Sequence, residues 1–294
     1  MKNERQQIAL VTGSSSGIGF ETSLLLARRN VYTCATMRNL SKSGDILGRA
    51  RKDNLPLKTL RLDVTNEESI SETIDNVIGE KGRIDILVNN AGYSLLGPLE
   101  QLHINEIKEE FETNFFGVIK LIQYVLPIMR KQMYGRIINI SSLAGRIGIP
   151  LSSAYVSSKF DLEGLTEFLG YEVREFGIHV ALIEPGVIKS NFVNNMKIGK
   201  KVMAMQNRTN LAINDNLPYA EITEKRISAF MPRFEKGSSP RLVAEKVLEA
   251  AVSDNPKTRY LVGEDALRMM ERRKNASDEE FGRMVMNSVL GRAT

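Results

Sequence analysis

The chain has 294 residues, of which 42% are hydrophobic and 26% are charged, and its formal net charge is +5. This length suits one large α/β domain, and this composition excludes a disordered chain. Because the basic residues are interleaved with acidic ones along the whole sequence, we expect no nucleic-acid partner.

Three features that the sequence lacks exclude further classes of protein. No run approaches the roughly 18 consecutive apolar residues of a membrane-spanning helix. The first residues lack the apolar region of a secretory signal, so we expect a cytoplasmic protein. With Cys34 as the single cysteine and His103 and His179 as the two histidines, an internal disulfide is excluded and no metal site is expected.

Strand-like and helix-like segments alternate along the chain, which is typical of a parallel sheet covered by helices. Short apolar runs predict seven buried strands, over Ile8–Val11, Val31–Ala35, Leu57–Leu62, Ile84–Val88, Arg136–Ile140, His179–Ile183 and Tyr260–Val262. Apolar residues every three or four positions predict crossover helices, over Ile18–Arg29, Glu67–Ile78, Ile104–Arg130, Ala154–Phe176 and Pro240–Val252. We predict a single doubly wound α/β domain of the Rossmann type over residues 1–294, with a mostly parallel seven-stranded sheet and helices on both faces.

Two segments depart from this alternation. Residues 190–237 give no strand signal and mix helical apolar spacing with Asn, Pro and Gly. They follow the end of a strand, where open α/β sheets bind ligands, so we predict a helical substrate lid. Residues 264–294 are charged and contain methionines, and they are predicted to form a helical tail on the surface or at an oligomer contact.

The first strand runs into a glycine-rich turn, Thr12-Gly13-Ser14-Ser15-Ser16-Gly17-Ile18-Gly19. Gly13 permits a tight turn, Gly17 lets the backbone approach a pyrophosphate, and Gly19 lets the helix pack closely on the strand. The helix that follows directs free amides and its positive dipole end at the phosphates. An ordinary strand-to-helix turn is the alternative, but the position in a βαβ pattern favours a dinucleotide site.

The residues after the second strand indicate which dinucleotide binds. An NAD site usually has an Asp or Glu there for the ribose hydroxyls, whereas this sequence has Thr36-Met37-Arg38. The Arg38 guanidinium can pair with a 2′-phosphate, and the Ser14 hydroxyl can add a donor. We therefore predict NADP(H) in preference to NAD(H), with a solvated loop arginine as the alternative for Arg38.

Tyr155 and Lys159 are four residues apart, hence on one face of the helix predicted from Ala154. A free phenol has a pKa of about 10, and a nearby ammonium lowers this pKa by favouring the phenolate. Ser141 and Ser142 end the preceding strand, where a hydroxyl can donate a hydrogen bond to the oxygen of a carbonyl that is being reduced. The pattern predicts Tyr155 as a catalytic acid and base.

Together these motifs resemble the classical short-chain dehydrogenase/reductase family. The resemblance implies that Ser142, and not Ser141, is catalytic, because the family's serine precedes the tyrosine by thirteen residues. It also implies that Asn114 holds a water linked to Lys159, and that Asn114, Ser142, Tyr155 and Lys159 form a proton relay. A buried structural amide is the alternative for Asn114.

The resemblance covers about residues 8–193 and implies further cofactor contacts. Asp63 and Val64 are expected beside the adenine, and the backbone after Gly186 at the nicotinamide carboxamide. Ser190 replaces the family's usual threonine and retains the hydroxyl. The expected cofactor residues are Gly13, Ser14, Ser16, Gly17, Ile18, Gly19, Arg38, Asp63, Val64, Asn90, Ala91, Gly92, Tyr155, Lys159, Pro185, Gly186, Val187, Ile188 and Ser190. As alternatives to cofactor binding, Asp63 caps a turn, and Asn89 and Asn90 connect neighbouring strands.

The segments from Asn90 to Glu100 and from Tyr155 to Leu165 are similar to the branch that contains 17β-hydroxysteroid and retinol dehydrogenases. The implied activity is an NADP(H)-dependent hydride transfer between the nicotinamide and a carbonyl or secondary alcohol. The expected substrate is a hydrophobic small molecule that resembles a steroid, retinoid or lipid. Its expected contacts are Ser142, Leu95, Leu96, Leu143, Ile149, Phe192, Met196 and Met203, for which core packing is an equal alternative.

Two further expectations follow from the resemblance. The family implies a homodimer or homotetramer, packed partly through the helix that carries Tyr155. A catalytically silent NADP(H)-binding regulator on the same fold is the alternative function, but such a regulator needs only the cofactor half of the site. The presence of all four relay residues favours the enzyme.

Overall fold

The computed structural model describes residues 5–192, 195–200 and 219–289. Its strands are β1 Ile8–Val11, β2 Tyr32–Met37, β3 Leu57–Arg61, β4 Ile86–Asn89, β5 Leu95–Leu96, β6 Gly135–Ile140, β7 Ile178–Pro185, β8 Lys197–Ile198 and β9 Arg259–Val262. Its helices are α1 Gly17–Arg28, α2 Gly44–Lys52, α3 Glu67–Lys81, α4 Ile104–Phe111, α5 Gly117–Gln132, α6 Ser153–Val173, α7 Ala220–Glu235, α8 Pro240–Val252, α9 Glu264–Asn275 and α10 Asp278–Val289.

Seven strands form the central sheet, in the order β3-β2-β1-β4-β6-β7-β9, and each neighbouring pair is parallel. Both β1 and β6 are buried along their whole length. This is why they read as continuous apolar runs, since helices cover both faces of such a sheet. The predicted doubly wound α/β fold is confirmed.

Apolar contacts attach the helices to both faces of the sheet. On one face, α3, α5 and α6 pack through residues such as Ile70, Leu121 and Leu162. On the other face, α1 and α8 pack through Leu26 and Val247. The strand order reverses between β1 and β4, and open α/β sheets bind ligands in the crevice at this point. The glycine turn after β1 lies at that crevice.

The structure divides the helix that apolar spacing predicts over Ile104–Arg130. A π-helical turn at Glu112–Phe116 separates α4 from α5. Such a turn inserts a residue into the helix and is frequent at functional sites. Apolar spacing does not reveal it, because the spacing is helical on both sides. The turn carries Asn114, whose side chain is completely buried.

The structure describes part of the predicted lid, residues 190–237. Its first part is tied to the domain by β8, which pairs with β5 in a small parallel sheet. Its second part contains α7, and the Tyr219 hydroxyl just before α7 donates to Glu100 Oε2 at 2.8 Å. Residues 193–194 and 201–218, which include Met203, lie outside the described residues.

Two helices follow β9, within the segment that was predicted to be a helical tail. α10 packs beside α7, where Arg233 donates to Ser288 Oγ at 2.6 Å. The predicted tail therefore contacts the second part of the predicted lid. Among the described residues, no helix combines the length and apolar character needed to cross a membrane.

Candidate active site

The glycine turn has a backbone conformation that only glycine adopts readily. Gly13 and Gly17 have φ angles of +69° and +61°. A Cβ on Gly19 would lie 2.5 Å from the Gly13 carbonyl oxygen, so α1 packs directly on the turn. Ser16 precedes α1 and makes no side-chain cap, which leaves the first amides of the helix free for an anion. The turn therefore fits a pyrophosphate.

Thr12 joins the glycine turn to the end of β4. Its hydroxyl accepts hydrogen bonds from the amides of Asn90 and Ala91, both at 2.9 Å. The Asn90 side chain returns a hydrogen bond to the Thr12 carbonyl at 2.8 Å. Asn90 thus ties β4 to the glycine turn through Thr12, whose hydroxyl no motif indicated as a link.

Two expected cofactor residues are engaged within the protein. The Ser14 hydroxyl, expected at a 2′-phosphate, is completely buried and donates to the Val11 carbonyl at 3.0 Å. It also accepts from Ser23 Oγ at 3.0 Å. Asp63 caps a turn, because its Oδ1 accepts from the Thr65 amide at 3.0 Å. Burial directs the Ser14 side chain to the protein, whereas Asp63 is partly exposed and is engaged by Thr65 in its own turn.

Arg38 and Val64 differ in their exposure. Arg38 follows β2, is exposed, and makes no hydrogen bond or ion pair within the described parts of the chain. Its guanidinium therefore stays available to an anionic ligand. Val64 is 5% exposed and belongs to the core beneath α3 and α5, so it offers a ligand little more than its backbone.

Asp265 supports the Pro185–Gly186 turn at the end of β7. A Cβ on Gly186 would lie 2.4 Å from the Asp265 carboxylate, so a larger residue there would displace this side chain. The Val187 amide donates to Asp265 Oδ2 at 2.8 Å. This amide is therefore used by the protein and is not free for the nicotinamide carboxamide. Asp265 lies in the tail, far along the chain from the turn, so sequence motifs did not indicate it.

Ile188 and Ser190 lie between this turn and the glycine turn. Ile188 pairs with Ser238 in a parallel bridge, through the carbonyl before it and the amide after it. In such a bridge the amide and carbonyl of Ile188 itself point to the opposite side. Ser190 Cβ is 3.3 Å from the position that a Cβ on Gly17 would take. Backbone groups and a hydroxyl thus border the crevice.

Ser142, Tyr155 and Lys159 lie together where β6 ends and α6 begins. Ser142 Oγ accepts from the Ala144 amide at 3.1 Å, and the Ser142 hydroxyl influences the Tyr155 phenol. Tyr155 and Lys159 are one turn apart on α6, with Lys159 Nζ 5.7 Å from the centroid of the tyrosine ring. A hydroxyl, a phenol and an ammonium thus meet at one end of the sheet, which is a combination suited to proton transfer.

Burial is the main influence on the pKa values of this group. It raises the pKa of Tyr155 to about 12, while the Ser142 hydroxyl lowers this pKa and the Glu110 charge raises it. Burial lowers the pKa of Lys159 to about 8, and nearby carboxylates raise it. Lys159 donates to the Ile140 carbonyl at 2.8 Å. The lowering of the phenol pKa that we expected from Lys159 is absent from the influences on Tyr155.

Asn114 connects the π-helical turn to α6. Its Nδ2 donates to the Tyr93 carbonyl at 2.9 Å and to Ser158 Oγ at 3.2 Å, and its Oδ1 accepts from the Tyr93 amide at 3.1 Å. Ser158 directly precedes Lys159. Nδ2 also lies 3.4 Å from Oε1 of Glu110, a buried carboxyl that the sequence analysis missed. The Asn114 side chain is therefore fully engaged by the protein.

Ser141 has a different environment from Ser142. Its hydroxyl donates to Glu163 Oε1 at 2.6 Å, and Glu163 Oε2 is 3.1 Å from Arg259 Nε. Arg259 also pairs with Glu184 at 3.3 Å. Ser141 therefore belongs to an ion-pair network behind the site, and Ser142 lies beside Tyr155. Within the described residues, no cluster of His, Cys, Asp and Glu suits a metal ion.

The apolar residues expected at the substrate divide into two groups. Leu95 is 1% exposed and packs with Leu102 and Ala154, so its side chain fills the core. The Phe192 ring, in contrast, is partly exposed and its centroid is 5.9 Å from that of Tyr155. The half-buried members of the set are Leu96, Leu143, Ile149 and Met196.

The chain matches the family described as short chain dehydrogenase over residues 7–201. It is 35% identical over 257 residues to a 3-ketodihydrosphingosine reductase of Bacteroides thetaiotaomicron, a match covering 87% of this chain and 88% of the relative. It is 32% identical over 272 residues to human 17-beta-hydroxysteroid dehydrogenase type 1, covering 90% of this chain and 80% of the relative. These relatives are consistent with the branch that the motifs resemble.

Solved structures show the same fold. A short-chain dehydrogenase from Streptomyces avermitilis superposes with a TM-score of 0.78 at 26% identity, over 96% of each chain. A metagenomic short-chain oxidoreductase in complex with NADP superposes with a TM-score of 0.67 at 25% identity. The second match covers 87% of this chain and 96% of the other.

Proposed function

Because the chain belongs to the short-chain dehydrogenase family, we propose that it is an NADP(H)-dependent oxidoreductase of hydrophobic carbonyl compounds and secondary alcohols. The observation that carries this proposal is the meeting of Ser142, Tyr155 and Lys159 beside the crevice that the glycine turn borders. Hydride exchange needs a proton donor next to the reacting oxygen, and this group supplies one.

When bound, the nicotinamide supplies or accepts the hydride. The Ser142 hydroxyl donates a hydrogen bond to the substrate oxygen, where negative charge develops during reduction. The Tyr155 phenol gives its proton to the same oxygen, and its raised pKa keeps it protonated near neutrality. In the oxidative direction Tyr155 takes the proton from the alcohol. Lys159 lies beside the phenol, and we assign its ammonium the task of balancing the phenolate that reduction leaves and that oxidation consumes.

Arg38 supports the preference for NADP(H). Its guanidinium follows β2, is exposed and makes no hydrogen bond or ion pair in the described chain. No carboxylate stands with it at the end of β2, where an NAD site needs one. A planar cation without a partner at this position suits a 2′-phosphate. The NADP in a solved structural neighbour is consistent with this preference.

Apolar side chains near Tyr155 support a hydrophobic substrate. The Phe192 ring lies beside the phenol, and Leu143, Ile149 and Met196, in the segments that follow β6 and β7, are half-buried. Partly exposed apolar side chains beside a reactive group favour apolar ligands. The names of the two relatives, a ketodihydrosphingosine reductase and a hydroxysteroid dehydrogenase, also indicate apolar substrates.

Exposed aromatic side chains support the predicted homodimer or homotetramer. Phe160, Phe168 and Tyr171 are 44%, 48% and 72% exposed on α6, the helix that carries Tyr155. Large apolar side chains that remain this exposed on one helix indicate a contact surface. Sedimentation at several protein concentrations measures the assembly.

The decisive experiment follows the absorbance of reduced nicotinamide with NADPH and NADH. The substrates are long-chain ketones, steroids, retinal and short-chain carbonyls, compared with Tyr155→Phe protein. We expect NADPH-dependent reduction of an apolar carbonyl, and a loss of about 100-fold or more in kcat for the variant, which still binds NADPH. Full turnover by Tyr155→Phe overturns the role of the phenol. Binding of NADPH without turnover of any carbonyl supports the regulator instead.

A further inference from the structure

Glu110 is a buried carboxyl beside the candidate proton relay, with no role in the function proposed above. It lies on α4, one helical turn before Asn114, and its side chain is completely buried. Its neighbours Glu109 and Glu112 have side chains that are 57% and 46% exposed. A buried carboxyl is unusual unless it has a specific partner or task.

The two oxygens of Glu110 have different surroundings. Oε1 accepts a hydrogen bond from the Leu95 amide at 3.1 Å and lies 3.4 Å from Asn114 Nδ2. Oε2 is buried and finds no hydrogen-bond partner among the described residues. Buried polar atoms without a partner are rare, and they usually hold a proton or a buried water. Oε1 is therefore fixed to the protein backbone, whereas Oε2 is available to a proton or to a buried water.

Asn114 links this carboxyl to α6. Its Nδ2 also reaches Ser158 Oγ at 3.2 Å, and Ser158 directly precedes Lys159. No direct ion pair joins Glu110 to Lys159 in the described structure, and the buried side chains of Asn114 and Ser158 connect the carboxyl to the helix that carries Lys159. Charges interact strongly in such buried surroundings because little water screens them.

The charges of Glu110, Lys159 and Tyr155 influence one another in consistent directions. Burial raises the pKa of Glu110 to about 8, while the Leu95 amide and the Lys159 charge lower it. The Glu110 charge in turn raises the pKa of Lys159 and that of Tyr155. Near neutrality Glu110 therefore largely keeps its proton, and above about pH 8 its carboxylate and the Lys159 ammonium stabilise each other's charged form.

We propose that Glu110 is a positioning residue that, when it ionises in the alkaline range, acts as the buried counter-ion of Lys159 and keeps it protonated while Tyr155 exchanges its proton. This assignment rests on the proposed function, because it gives Lys159 and Tyr155 the tasks assigned there. Glu110 also holds β5 in place through the Leu95 amide, so one side chain contributes both charge and geometry.

Removing the Glu110 charge shifts the pKa values of its neighbours in a defined direction. Without it, the pKa values of Lys159 and Tyr155 both fall. Reduction requires the protonated phenol, so the fall of the reduction rate at high pH moves to lower pH. Oxidation requires the phenolate, so the rise of the oxidation rate also moves to lower pH. The other titratable groups around this carboxyl are Lys197 on β8, Tyr93 before β5, and Glu106 and Glu109 on α4.

The test compares Glu110→Gln with Glu109→Gln and Glu110→Asp. Glutamine keeps the shape and the acceptor for the Leu95 amide but removes the charge. Glu109→Gln removes a neighbouring exposed charge, which water and salt screen. Aspartate restores the charge. Two readouts are used: the pH profile of kcat/KM, and the tyrosinate absorbance of the cofactor-free protein after subtraction of the matching Tyr155→Phe titration.

We expect Glu110→Gln to shift both readouts to lower pH by about one unit, the lower range for a nearby buried charge. Glu109→Gln and Glu110→Asp are expected to stay close to the parent protein. Unchanged curves for Glu110→Gln, or an equal shift for Glu109→Gln, overturn the proposal. If no carbonyl is turned over, the proposed function fails, but the tyrosinate titration still decides the role of Glu110.

A second measurement does not depend on the folding of Glu110→Gln. Carbon NMR of the glutamate carboxyls gives the titration of Glu110 directly, and the Glu110→Asp spectrum assigns its signal. In Lys159→Met protein the Glu110 signal is expected to titrate at higher pH, because the counter-ion is gone. An unchanged Glu110 titration in Lys159→Met overturns the proposal.

Discussion

Gly19→Ala adds a side chain at the closest contact between α1 and the glycine turn. The new Cβ would lie 2.5 Å from the Gly13 carbonyl oxygen and 2.5 Å from Asn90 Nδ2, about 0.9 Å inside an ordinary contact of 3.4 Å. Because the first obstacle is backbone, α1 or the turn must shift. Overpacking of this kind costs about 1–3 kcal/mol, and alanine returns about 0.5–1 kcal/mol in a helix. We expect a net loss of about 1–2 kcal/mol.

Urea unfolding of the cofactor-free protein measures this loss, and calorimetric titration with NADPH measures its effect on the site. We expect NADPH affinity to fall by about tenfold, because 1.4 kcal/mol at the helix start corresponds to that factor. Gly48→Ala in α2 is the matched control, since its Cβ meets nothing within 4 Å. The free energy of unfolding of this control should rise by up to about 1 kcal/mol. Equal unfolding midpoints and equal NADPH affinities for the two variants would refute the packing argument.

Two other substitutions test separate features. Arg38→Asp removes the exposed cation after β2 and supplies an acceptor for the ribose hydroxyls. The ratio of NADH affinity to NADPH affinity should therefore rise by about tenfold or more. An unchanged ratio contradicts the role of Arg38. Arg259→Met leaves the nearly buried Glu163 without its cation, and urea unfolding should show a loss of about 3 kcal/mol. Lys246→Met, in an exposed pair with Glu249, should change stability by less than about 1 kcal/mol, and equal losses for both variants contradict the burial argument.

The sequence determined the features that depend on neighbours along the chain. Continuous apolar runs predicted the strands because both faces of the sheet are buried. The glycine turn was recognisable because its positive φ angles at Gly13 and Gly17 require glycine. Tyr155 and Lys159 were paired by helical spacing alone, whereas the choice of Ser142 over Ser141 came from the family resemblance.

Only the tertiary structure decided which side chains point inward and which distant groups meet. Glu109, Glu110 and Glu112 are alike in the sequence, yet Glu110 alone of the three is completely buried, because the π-helical turn and β5 enclose it. Asp265 supports the Gly186 turn although 78 residues separate Asp265 from its partner Val187. Such contacts arise from the packing of elements remote in sequence, and no local spacing encodes them.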